Sequence, residues 1–185
     1  MLNTPCHNKL RIAGTASDSI VDGPGIRYVI FTQGCPHHCP GCHNPETHSF
    51  INKQLYKAED LLMLLMENPI LDGVTFSGGD PFFQAEANIE LIDLIKTETN
   101  LDIWAYTGYS WEDFINFKLK GEQPKHKAPI NHKMIEMLEK CDVVVDGRYI
   151  ESLRTLDSTY VGSSNQRVID VKKSINLLVP VIYLN

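Results

Sequence analysis

A chain of 185 residues, 43% hydrophobic and 22% charged, has the length of one domain and enough apolar material for a full core. Its formal net charge of −6 excludes the basic face of a general nucleic-acid binder, and no apolar run approaches the roughly 18 residues of a membrane helix. Five cysteines is an odd number, which excludes a complete disulfide framework and leaves at least one thiol free or metal-bound.

The start, Met1 to Cys6, lacks the basic residues and apolar core of a signal peptide, so a cytoplasmic location is expected. Residues 1–16 read as a tail with room for a first strand, and 17–185 as a single domain. Asp22-Gly23-Pro24-Gly25 is a tight turn. Arg27 to Gln33, rich in β-branched and aromatic residues, reads as a strand, and Lys57 to Glu67 as a helix with Leu61, Leu62, Leu64 and Leu65 on its apolar side. Val74-Thr75-Phe76 is a second strand, followed by a helix from about Gln84 to Glu98 with a stripe of Asn88, Leu91, Ile92 and Ile95. Asp102 to Tyr106 is a strand, Trp111 to Leu119 and His132 to Lys140 are helices, and Asp142 to Asp146 is a strand. Extended segments near Arg167–Val171 and Leu177–Tyr183 close the chain.

Strands that alternate with helices imply right-handed βαβ units and a mostly parallel α/β sheet, either a partial barrel or an open doubly wound sheet. The unusual loops follow predicted strands: the cysteine run after Gln33, Ser77-Gly78-Gly79-Asp80-Pro81 after Phe76, Thr107-Gly108-Tyr109 after Tyr106, and Gly147-Arg148-Tyr149 after Asp146. Parallel α/β proteins place ligands at this carboxyl edge, so four loops are expected to converge on one mouth.

Cys35, Cys39 and Cys42 have the spacing Cys-x3-Cys-x2-Cys. Clusters that only carry electrons normally take four cysteines, so three with no fourth nearby suit an iron–sulfur cluster with one open iron. The competing reading is a closed Cys3His zinc site completed by His37, His38, His43 or the distant Cys6-His7 pair, giving a zinc-stapled binding module. Cys141, at the head of Val143-Val144-Val145, reads as a small buried hydrophobe, and Cys6 has no assigned role. Gly78 and Gly79 let a ligand approach the backbone closely, with carbonyl oxygens and Asp80 as acceptors for an ammonium group, although the same residues are good turn chemistry. Gly162 to Arg167 reads equally as an anion- or backbone-binding loop and as a polar connector. Lys118, Lys120, Lys125 and Lys127 with His126 read first as a solvated loop and second as a docking patch for an acidic electron donor.

Six blocks together resemble the activating proteins of anaerobic ribonucleoside-triphosphate reductases, a branch of the radical S-adenosylmethionine (SAM) enzymes. They are Val21–Arg27, Gly34–Thr47, Ser77–Pro81, Tyr106–Tyr109, Val145–Arg148 and Gly162–Arg167. The resemblance runs from about Ser17 to Val171, and the segment between Lys118 and Asn131 is longer than the family pattern. It implies a partial (β/α) barrel with a [4Fe-4S] cluster on Cys35, Cys39 and Cys42. It implies SAM against Gly78, Gly79 and Asp80, its adenine beside Gly41, Cys42 and His43, and Asp146 with Arg148 near its carboxylate. The implied activity is reductive cleavage of SAM and abstraction of a hydrogen from a glycine of the reductase catalytic subunit, with a flavodoxin- or ferredoxin-like electron donor. Alternatives within the superfamily are activation of another glycyl-radical enzyme, such as formate lyase, and action on a small heterocycle.

Overall fold

Strand β1 (Leu10–Ser19) turns back into β2 (Arg27–Thr32), and a short β3 (Gln54–Tyr56) returns along the outer side of β1. Helix α1 (Ala58–Met66) leads to β4 (Gly73–Gly78), α2 (Ala85–Glu98) to β5 (Asp102–Tyr106), and α3 (Trp111–Lys120) with α4 (His132–Lys140) to β6 (Val143–Asp146). An antiparallel β7 (Arg167–Asp170) and α5 (Val171–Leu177) complete the chain. This computed structural model describes residues 9–51, 54–125 and 127–183, so Cys6, His7 and His126 lie outside the described residues.

The seven strands form one sheet in the order β3-β1-β2-β4-β5-β6-β7. The pairings β2–β4, β4–β5 and β5–β6 are parallel, as the alternation of strands and helices predicts. The antiparallel edges were not legible from that alternation. The result is an open, partial-barrel α/β sheet. Because β1 crosses position 16 and buries Leu10 and Ile12 completely, the described part of the expected tail belongs to the sheet.

Successive strand residues face opposite ways, and that period divides two cores. Ile103, Ala105 and Val144 join the helix-covered core with Leu61, Leu91, Ile95 and Leu138, whereas Trp104, Val143, Val145 and Val168 form a second cluster on the inner face with Tyr106 and Tyr160. Local chemistry starts and stops the helices where the sequence places them. Ser110 Oγ accepts from the Asp113 amide while Asp113 accepts from the Ser110 amide, a capping box, and α3 ends at Gly121 in the left-handed region. Arg27, fully buried at the start of β2, donates to Thr75 Oγ1 (2.6 Å) and Asp102 Oδ1 (2.5 Å) and lies 5.2 Å from the centre of the Trp104 ring.

One expected extended segment is corrected. Leu177 does not open a strand; it ends α5, whose N-terminus is capped by Asp170 accepting from the Lys173 amide (3.0 Å). Only the end of the segment runs beside β7, where the Tyr183 amide donates to the Val168 carbonyl (2.8 Å). Cys141 is wholly buried, as expected, and burial pushes its thiol up to about 12. The basic stretch is largely neutralised: Lys118 pairs with Glu139 and Lys127 with Asp113, and the loop is held by the Tyr109 hydroxyl donating to the Ala128 carbonyl (2.8 Å). Among the described residues no helix is long and apolar enough to cross a membrane.

Candidate active site

Four parallel strands end on the same edge, so the cysteine run, the Gly-Gly loop, Thr107-Gly108 and Gly147-Arg148 arrive there together. Because β7 runs antiparallel, its beginning lies at this edge as well, and Gly162 to Gln166 joins the other four. Gln166 Oε1 accepts from the Gly162 and Ser163 amides while its Nε2 donates to the Gly147 carbonyl (2.9 Å), and Asn165 Nδ2 donates to the Arg148 carbonyl (2.9 Å). Of the two readings left open by composition, backbone binding describes this loop: it fastens β7 to the exit of β6.

The cysteine loop is pinned from behind. Gln33, fully buried, donates to the carbonyls of Glu46 (3.1 Å) and Ser49 (2.6 Å), and the amides of Gly34 and Cys35 donate to the carbonyls of Thr47 and His48. Sequence reading gave Gln33 no role beyond ending the strand; a long amide between that strand and the cysteine run was the available signal. Cys35, Cys39 and Cys42 are each half-buried and free of disulfides. Burial raises the Cys35 thiol to about 12, opposed by a bond from the His37 amide and reinforced by Asp80 and the other two cysteines. Burial also raises Cys39, against the Tyr149 amide that donates to its sulfur and the nearby charge of Arg148. The three sulfurs therefore share one electrostatic neighbourhood.

That donor set fits a multi-iron cluster better than one ion. A zinc ion draws all its ligands to within about 2.3 Å of a point and a closed site needs a fourth ligand beside the three thiolates. In a four-iron cluster each thiolate takes a different iron, so the sulfurs stand farther apart. The candidate histidines among the described residues also make contacts elsewhere. His37 Nε2 lies 2.7 Å from Asp80, His38 meets His48 edge to face, and His43 packs against Tyr149 with ring centres 4.7 Å apart.

Beside Cys42 the inner face of the sheet opens into a cavity of about 340 Å³, bounded by Cys42, His43, Gly78, Tyr106, Tyr149 and Tyr160. This is a ligand-sized space of mixed polarity. Of the expected site residues, Cys42, His43 and Gly78 face it. Gly41 forms the exposed turn before Cys42, with φ +73°. Gly79 packs against the Gly34 carbonyl instead of lining the space. Asp80 is buried: Oδ1 accepts from the Phe82 amide (3.0 Å), and Oδ2 accepts from His37 Nε2, Thr107 Oγ1 (2.9 Å) and the Gly108 amide (3.0 Å). Three donors crowd Oδ2 and one reaches Oδ1, so most of the carboxylate's accepting capacity is spent on holding the fold. Asp80 is thus engaged with the cysteine loop and the exit of β5, and it is not among the residues that bound the cavity.

Asp146 is likewise buried and occupied. It accepts from the Trp111 amide (2.7 Å) at the start of α3 and from both Nε (3.0 Å) and Nη2 (2.5 Å) of Arg167. Arg167 also grips Glu112 through two nitrogens, and its bond holds that carboxyl below the usual range. Asp146 thus anchors the loop that carries Arg148, whose charge is felt at Cys39. Tyr149, which sequence reading did not single out, contributes both an amide to the Cys39 sulfur and an aromatic ring to the cavity.

Comparison with known proteins gives the same picture. Residues 21–169 match the family described as a 4Fe-4S single cluster domain. The anaerobic ribonucleoside-triphosphate reductase-activating protein of Enterobacteria phage T4 is 34% identical over 153 residues, covering 80% of this chain and 86% of that protein. Its namesake from Escherichia coli K12 is 31% identical over 156 residues, covering 80% and 91%. The pyruvate formate-lyase-activating enzyme of Clostridium pasteurianum is 39% identical over 113 residues, covering 57% of this chain and 48% of that enzyme. With a single-cluster domain spanning most of its length and similarity extending over 86% and 91% of the two reductase-activating proteins, the chain belongs to the anaerobic ribonucleoside-triphosphate reductase-activating protein family.

Proposed function

We propose that this protein is a radical SAM activating enzyme of the cytoplasm that makes the glycyl radical of an anaerobic ribonucleoside-triphosphate reductase. The observation that carries this reading is the adjacency of three half-buried cysteines on one loop to a cavity of about 340 Å³ at the carboxyl edge of the sheet. Cys35, Cys39 and Cys42 would hold the [4Fe-4S] cluster, and SAM would lie in the cavity beside Cys42. When bound, the cluster and SAM supply an electron transfer to the sulfonium that releases methionine and a carbon radical able to take hydrogen from a glycine.

The chain's own residues orient and shield this chemistry. The amides of His37 and Tyr149 donate to the sulfurs of Cys35 and Cys39, a standard means of tuning a cluster. Gly78, with φ +84°, turns the backbone at the cavity wall and leaves carbonyls for an ammonium group. Arg148 brings a cation for a carboxylate. His43 and Tyr149 provide the aromatic surface that Gly41 cannot. Trp104, Val143, Val145 and Val168 close the inner face to water, which a reactive radical requires. The electron would come from a flavodoxin- or ferredoxin-like protein.

The deciding experiment is anoxic reconstitution with iron and sulfide, reduction, and addition of SAM and a purified anaerobic reductase, followed by electron paramagnetic resonance. The expected result is a cluster signal that shifts with SAM and a glycyl doublet on the reductase. A SAM-responsive cluster with no doublet would assign another substrate, and stoichiometric zinc with no SAM response would overturn the enzyme reading. A narrower expectation concerns the aromatic wall. Tyr149→Ala removes the ring but keeps the amide on Cys39, so cluster content should hold while the apparent SAM dissociation constant rises about three- to tenfold; isothermal titration measures it.

A further inference from the structure

His37 lies between the first two cysteines, yet it faces away from solvent, with only 6% of its surface exposed. Its imidazole is packed by aromatic rings and bonded through Nε2, while Nδ1 is buried with no hydrogen-bond partner among the described residues. The ring meets Tyr109 edge-on at 4.9 Å and Phe83 at 6.3 Å, and a Cβ on Gly108 would come within 2.4 Å of it. Nε2 reaches Asp80 Oδ2 at 2.7 Å. Since that oxygen already accepts from Thr107 and Gly108, the ring nitrogen is the donor. The backbone of the same residue donates to the Cys35 sulfur. One residue therefore touches the first cluster ligand through its amide and the Gly-Gly-Asp-Pro loop through its side chain.

Asp80 carries the connection onward. Its amide donates to the Gly34 carbonyl (3.1 Å), its side chain holds the Phe82 amide, and Thr107 and Gly108 bring in the exit of β5. Three of the loops at the mouth meet on this one carboxyl group. We propose that His37 is a positioning residue whose Nε2 bond to Asp80 fixes the cysteine loop against the Gly78–Gly79 segment and so sets the placement of SAM relative to the cluster. Asp80 is then the anchor of the SAM cradle and not a SAM ligand. The inference deepens the function proposed above and rests on it.

The test compares His37→Phe, which keeps a flat ring but has no donor, with His37→Gln, whose amide nitrogen can occupy the place of Nε2. Each variant is reconstituted anoxically beside the wild type. Iron and sulfide per chain, the resonance spectrum of the reduced cluster, and the SAM concentration that half-shifts that spectrum are measured. The expected result is near-normal iron in both variants, at least about a tenfold rise in the half-shift concentration for His37→Phe, and recovery to within about threefold in His37→Gln, the range found when a partner behind a metal ligand is removed. Loss of the cluster in His37→Phe with retention in His37→Gln would also support the bond as the positioning element. Equal SAM response in His37→Phe and wild type, or equal impairment of both variants, would overturn it. If the wild-type cluster itself ignores SAM, the SAM reading fails first.

Discussion

Cys39→Ala is expected to leave a folded protein that retains no SAM-responsive cluster, with methionine release from SAM falling to background. Folding should survive because Cys39 is half-buried on a loop, whereas the structure is carried by wholly buried residues such as Leu61, Phe76, Leu91 and Trp104. Its sulfur accepts an amide from Tyr149, and Cys39 belongs to neither of the two hydrophobic clusters. The chemistry should not survive, because an iron site built on three thiolates has no reserve. The described remainder offers Cys141, which is wholly buried, donates its thiol to the Met137 carbonyl (3.3 Å) and belongs to the helix-side core. Circular dichroism and a melting curve check the fold; iron analysis and resonance spectroscopy check the site. A variant that kept full iron and shifted its spectrum with SAM would show that Cys39 is not a ligand.

The part of this architecture legible in the sequence is the part governed by short-range pattern. Val143-Val144-Val145, apolar throughout, is a strand buried on both faces, and the helix expected over His132 to Lys140 is found there, capped by Asn131, whose side chain accepts from the Met134 amide (3.1 Å). The parallel order followed from alternation. What escaped was governed by distant partners. β3 has three residues, none of them buried, so no pattern marks it; it exists because β1 offers an edge. The helix at Val171–Leu177 was read past because Leu177-Leu178-Val179 looks extended, although Asp170 ahead of it was a cap signal.

The same division runs through the site. Cysteine spacing and the two glycines are local and could be read directly, while the roles of Asp80 and Asp146 depend on partners 27 and 21 residues away, Thr107 and Arg167. A carboxylate next to a glycine pair looks like a ligand until its bonds to His37, Thr107 and Gly108 are seen. Tyr149 was named within its loop but given no role for a related reason: its amide meets Cys39 where Gln166 and Asn165, just ahead of β7, hold Gly147 and Arg148 in place.

The glycine pair also sets the second large effect. Gly79→Ala is expected to lower stability by about 2–3 kcal/mol and the melting temperature by about 4–12 °C, and to weaken SAM binding in parallel. A Cβ on residue 79 would stand 2.5 Å from the Gly34 carbonyl oxygen, 2.9 Å from its carbon and 3.0 Å from the Thr32 carbonyl oxygen. All three are main-chain atoms, so no rotamer change relieves the contact. Either the segment leading to Cys35 retreats or the exit of β4 does, and both moves strain the bonds from the Gly79 amide to Thr32 (2.8 Å) and from the Asp80 amide to Gly34 (3.1 Å). Those bonds hold the cysteine loop to the Gly-Gly segment, which is why stability and SAM affinity should fall together. Gly14→Ala is the matched control: it lies in β1 with nothing within 4 Å of its added Cβ, and its melting temperature should move by no more than about 2 °C. Equal melting of Gly79→Ala and Gly14→Ala would show that the two loops are not packed backbone to backbone, and that the distance between the cysteines and the SAM cradle is set by something other than the missing side chain.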